Sequence, residues 1–220
     1  DSKANALITN FGGQWLNLRE LEKVETASKN FDDNLRHAFA RETEMLFESI
    51  VQEDRSIVTL LDASYTFVDE RLARHYGIPD IHGSYFRRVP LGPDSPRRGI
   101  LGQGAFLTVT SVGTRTSPVT RGRWILENVL GTPAPVPPPG VDTNLDKDAE
   151  EVKVTSLRQR LELHRKVEPC ASCHKIMDPI GFALENFDMV GTWRDLDGKT
   201  PIDASGQLVD GSKLTSVLDL

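Results

Sequence analysis

Both cysteines of the chain fall within five residues, Cys170-Ala171-Ser172-Cys173-His174, and this placement constrains the fold more than any other feature. No disulfide can staple distant parts of the chain, so stability has to come from a buried apolar core or from whatever the motif binds. A length of 220 residues and a hydrophobic fraction of 38% are enough for such a core, as one large domain or two small ones.

The first third reads as helix. Asp32 or Asp33 is positioned to cap a helix whose apolar stripe comprises Leu35, Phe39, Leu46 and Ile50, widened by Ala38 and Phe47. Ser56 opens a short turn through Ile57, Leu60 and Leu61, and a further helix is expected from about Ser64 to Tyr76, stopped by Gly77-Ile78-Pro79. Tyr85 to Pro90 reads as a short strand, whereas Gly99 to Val112 has no clear periodicity. Pro118 suits the first turn of a helix through Trp124, Ile125, Val129 and Leu130 that ends at Gly131.

Thr132 to Gly140 is a proline-rich run that favours polyproline II, and the polar stretch Asp142 to Lys153 follows it. The expected organisation is a helical domain over 1–131, a linker over 132–153 and a motif-bearing module over 154–220. The module is expected to begin with a helix from Thr155 or Ser156 to Lys166, with Leu157, Leu161 and His164 on one face. A second short helix is expected from Asp178-Pro179 to Phe187. Asp197-Gly198 and Asp210-Gly211 mark turns in the tail, read as a small hairpin or loop. The fold class expected is therefore mainly α, with a short β-hairpin or loop tail.

Net charge is −6 with no basic cluster, which argues against a nucleic-acid partner. No apolar run approaches the roughly 20 residues that cross a bilayer, so no transmembrane segment is expected. The chain opens on Asp1-Ser2-Lys3, already within a helical pattern, and is expected to be a piece of a longer protein.

The spacing of the Cys-x-x-Cys-His motif is that of c-type haem attachment. Two thiols add to the two vinyl groups of the porphyrin as thioethers, and the adjacent imidazole reaches the iron. Cys170 and Cys173 are then the tethers and His174 the proximal ligand of haem c. Two other readings compete. Structural zinc normally takes four protein ligands, more than two cysteines and a histidine supply. A redox dithiol favours a βαβ setting, which the pattern here lacks.

The candidates for the distal ligand are Met45, Met177, Met189, His37, His75, His82 and His164. Met177 is too close to His174 in sequence to cross the ring easily. His164, ten residues before His174, is preferred over Met189, and an open sixth position is the third case. Two strong axial ligands favour outer-sphere electron transfer, while an open site admits peroxide or oxygen. Arg115, Arg121 and Arg123 offer partners for propionates but read more simply as a solvated helix start. Asp195 and Asp197 read as an ordinary turn, since the full calcium-loop pattern is missing.

Residues 170–194, CASCHKIMDPIGFALENFDMVGTWR, resemble the C-terminal haem module of large planctomycete-type cytochrome c proteins built from several domains of unknown function. Gly13-Gln14-Trp15-Leu16, Arg74-His75-Tyr76-Gly77-Ile78-Pro79, Arg115-Thr116-Ser117-Pro118-Val119 and Leu126-Glu127-Asn128-Val129-Leu130-Gly131-Thr132-Pro133 resemble the domain that precedes that module. His164-Arg165 is similar to a His-Arg pair before the family's haem motif, which adds to the preference for His164 as distal ligand. The resemblance implies a longer parent, often with a further haem motif, but no reaction.

The expected function is electron transfer in the periplasm or cell envelope, by an exported chain carrying one covalent haem. Its partners would be a redox protein or other haem domains of the parent chain or complex. The alternatives are a haem enzyme of peroxidase or oxygenase type and a structural haem-bearing subunit of an envelope complex.

Overall fold

A computed structural model describes residues 2–135, 156–165 and 170–220, and the chain in it is mainly helical, with short two-stranded hairpins. Two compact units form. One joins Asp1–Thr116 to the short segment Phe187–Trp193, and the other joins Ser117–Asn186 to Arg194–Leu220. Most of the expected linker lies outside the described residues, and Thr132–Pro135 carry no regular secondary structure.

In the first unit, α1 (Ser2–Ala6) runs through a π-helical stretch (Leu7–Gly12) into α2 (Gly13–Trp15). The scaffold is α3 (Asp33–Gln52), which starts where Asp32 accepts the Leu35 N–H at 2.8 Å. Its stripe is the expected one. Leu35, Ala38, Phe39, Leu46, Phe47 and Ile50 are all buried, and each such large side chain contributes roughly 1.5–3 kcal/mol. The short α4 (Thr59–Asp62) follows the turn in which Ser56 accepts the Val58 N–H.

The helix expected from Ser64 to Tyr76 is instead a strand and a shorter helix. Tyr65–Val68 forms β1, paired antiparallel with β2 (Arg87–Pro90) so that Thr66 faces Val89. The run Tyr-Thr-Phe-Val is aromatic and β-branched, and its preference for extended backbone outweighs the helical spacing. Asp69 then ends the strand and caps α5 (Glu70–Tyr76) by accepting the Leu72 N–H at 2.8 Å. Gly77, left-handed at φ 71°, closes α5 as expected.

Gly99 to Val112, which lacked a periodicity, folds as a 3₁₀ turn (Ile100–Gly102) and α6 (Gly104–Val109). Nearly every residue of this stretch is buried, so no polar face marks it as a helix. The segment Phe187–Trp193 is held in the same unit. Phe187 is buried under the Arg97 guanidinium, Arg97 donates to the carbonyls of Gly102 and Gly191, and the His75 Nε2–H donates to the Val190 carbonyl at 2.8 Å.

The second unit is built on α7 (Pro118–Asn128), α8 (Leu157–His164) and α9 (Cys170–Phe182). Pro118 takes the first turn of α7, as expected, and Ser117 caps it by accepting the Thr120 N–H. α8 is capped by Ser156, and its Leu157 and Leu161 pack on Phe182 beside Val119. Each Asp-Gly turn of the tail closes its own hairpin. β3 (Leu196–Asp197) pairs with β4 (Thr200–Pro201) around Gly198, and β5 (Gly206–Gln207) pairs with β6 (Lys213–Leu214) around Gly211. No helix among the described residues is long and apolar enough to cross a membrane.

Candidate haem-attachment site

The motif lies inside a helix, not ahead of one. α9 runs from Cys170 to Phe182 and carries Pro179 within it, whereas the sequence pattern placed a helix start at Asp178-Pro179. A proline removes one main-chain donor and favours helix starts, hence the expectation; packing against α7 holds this helix continuous through it.

Helical continuity puts His174 and Asp178 one turn apart on the same face. His174 Nδ1 and Asp178 Oδ1 are 3.0 Å apart, and the Asp178 side chain is fully buried. The second carboxylate oxygen of Asp178 lies 4.0 Å from Arg165 Nη1. With Nδ1–H donated to the carboxylate, the lone pair of the imidazole is at Nε2, the tautomer a metal ligand needs. Asp178 did not stand out in the sequence, because a helix starting at 178 separates it from His174. The i, i+4 spacing would have revealed it in a helix spanning both.

The last turn of α8 brings His164 against His174. Their rings meet edge to face, with centroids 5.2 Å apart and planes at 71°. Met189 belongs to the 187–193 segment of the first unit, as His37, His75, His82 and Met45 belong to that unit. Met177 shares α9 with His174 and is buried. Of the candidate distal ligands, His164 and Met177 are therefore the ones that share a unit with His174.

Cys173 is a free thiol at intermediate exposure, its Sγ 3.7 Å from the Pro135 carbonyl. The described donors, the Cys173 thiol and the His174 imidazole turned by Asp178 to offer Nε2, are of the kinds haem attachment takes on the proximal side, while the Cys170 side chain lies outside the described side chains. Because the His164 and His174 rings touch directly, a flat macrocycle enters between them only as they part.

Arg121 departs from the solvated helix start expected for the arginine group. It is fully buried, Nη1 donates to the Leu184 carbonyl at 2.8 Å, and the same atom lies 3.6 Å from the Glu185 carboxylate. Glu185 also meets Arg194 at 3.1 Å. Arg121 thus ties α7 to the chain leaving α9. Arg123, by contrast, is exposed and pairs with Glu127 at 2.6 Å. Asp197 accepts the Leu157 N–H at 2.9 Å, so this acidic turn helps cap α8.

Residues 97–197 match a family described as a protein of unknown function (DUF1588) and designated PSCyt3. Residues 1–78 match a second family of unknown function (DUF1592), designated PSD4. No curated protein and no solved structure matches the chain. The PSCyt3 match is to a cytochrome-associated domain by name, and it spans the Cys170–His174 motif. The chain therefore joins segments similar to two domain families of unknown function that are typical of planctomycete multidomain proteins.

Proposed function

We propose that the chain is an electron-transfer module that carries one haem c on Cys170, Cys173 and His174, and that it works outside the cytoplasm. The observation that carries this reading is the hydrogen bond from His174 to the buried Asp178, in a helix that also bears both cysteines. Cys170 and Cys173 would supply the two thioether bonds, and His174 Nε2 would bind the iron. His164 is proposed as the distal ligand, since its ring already faces that of His174. The bound group supplies one-electron chemistry, its iron alternating between ferric and ferrous states.

The protein's own part is to fix the proximal imidazole and to limit water at the site. Asp178 holds the tautomer, and Leu157, Leu161 and Phe182 form the apolar cluster that positions α8 beside α9. A second strong ligand opposite His174 would close the iron to peroxide and oxygen, which favours electron transfer over the enzyme reading. Electrons would arrive from and leave to a redox partner or other haem domains of a longer parent chain.

The test is export of the chain in a host with a haem c maturation system. Haem should then resist acid–acetone extraction, and Cys170→Ala/Cys173→Ala should abolish covalent retention. A colourless exported protein, or one binding a metal ion through these side chains, overturns the proposal.

A further inference from the structure

The geometry points to Asp178 as the positioning residue that tunes the proximal imidazole and, through it, lowers the reduction potential of the haem; this rests on the attachment reading above. A ligating imidazole donates its other N–H to a neighbour, and that neighbour sets how strongly the ligand binds. Here the acceptor is a carboxylate, 3.0 Å from Nδ1 and fully buried.

An anionic acceptor draws the Nδ1 proton more strongly than a neutral main-chain carbonyl would. Nε2 becomes a more basic donor, and a more basic donor stabilises ferric over ferrous iron. The low dielectric around Asp178 strengthens the effect. Arg165, 4.0 Å from the far carboxylate oxygen and partly exposed, offsets only part of that charge. The i, i+4 placement on one helix sets this geometry through the helix itself, so it does not depend on a loop.

The experiment compares holoprotein of the wild type with Asp178→Asn and Asp178→Glu. Asparagine keeps an oxygen able to accept the Nδ1–H but removes the charge. It should still retain haem covalently through Cys170 and Cys173, at whatever level it loads, and the midpoint potential of the loaded fraction should rise. A tenfold gain in the ferrous-to-ferric ratio at fixed ambient potential is about 59 mV for one electron. Asp178→Glu should recover part of the difference.

An unchanged potential in Asp178→Asn with haem covalently bound overturns the role of Asp178 and leaves attachment intact. A wild type without haem overturns attachment itself. Should Asp178→Asn fail to accumulate, Asp178→Glu decides through the midpoint potential of its haem-loaded form. A potential displaced from that of the wild type supports the role, and an identical potential overturns it.

Discussion

Gly122 of α7 lies directly against the main-chain carbonyl of Met177 in α9, so closely that a Cβ at position 122 would overlap it. Gly181 repeats the arrangement from the other side, against the carbonyl of Pro118. Two glycines, one per helix, let α7 and α9 meet backbone to backbone, and α9 is the helix that carries the cysteines and His174.

Gly122→Ala should therefore push α9 away from α7. Overpacking of this kind costs about 1–3 kcal/mol, and rigid main chain on the far side places the change at the upper end. The denaturant midpoint should fall accordingly. Gly13→Ala is the control, because a Cβ there meets nothing within 4 Å and the backbone is helical. It should be neutral or stabilising by about 0.5–1 kcal/mol.

The legible parts of the fold were those where local signals agree. Asp32 and Pro118 announce their helices because a cap or first-turn residue and an apolar periodicity coincide. Tyr65–Val68 was misread because its strand character depends on pairing with Arg87–Pro90, about 20 residues away, which no local window contains. α6 was invisible because it is buried on all sides. At the site, the motif itself spoke plainly, but its partner Asp178 was masked by Pro179, whose usual meaning is a helix start. Arg121 was misread for a related reason, since nothing local distinguishes a buried arginine from a solvated one until Leu184 and Glu185 close over it.

Removing that arginine should be costly. Arg121→Met deletes a fully buried cation and leaves the Leu184 carbonyl without its 2.8 Å donor. Breaking a buried ionic contact from one side costs about 3–5 kcal/mol, although Arg194 still faces Glu185 and should hold the loss near the lower figure. Chemical denaturation should show a midpoint well below wild type. The double variant Arg121→Met/Glu185→Gln should recover part of the loss, because it no longer buries a carboxylate that has lost one of its two cations.

The distal ligand is open to a spectroscopic decision. His164 faces His174 at 5.2 Å between ring centroids, so His164→Ala in the haem-loaded protein should convert a low-spin spectrum to high spin and permit cyanide or carbon monoxide to bind. A low-spin spectrum surviving that change would remove His164 from the site. Met189→Leu should leave the spectrum as it is, and loss of a weak far-red band in that variant would instead identify methionine as the ligand.

Glu42 gives the first unit a pH dependence of its own. Its side chain is buried within α3 and accepts hydrogen bonds from Thr66 at 2.5 Å and Tyr76 at 2.6 Å, with Arg97 nearby. Desolvation is the dominant influence and outweighs these partners, pushing the carboxyl up from 4.5 to about 7. The folded protein therefore holds this proton in a range where the unfolded chain has released it. Stability from the protonated group is fully present below about 4.5, declines as pH rises, and is lost above about 7. A shift of that size corresponds to a decline on the order of 3 kcal/mol across the window. Unfolding free energy measured by denaturant between those limits should fall in the wild type, and Glu42→Gln, which cannot ionise, should flatten that part of the profile. An unchanged slope in Glu42→Gln would show that Glu42 stays ionised throughout, held by Arg97 and the two hydroxyls despite its burial.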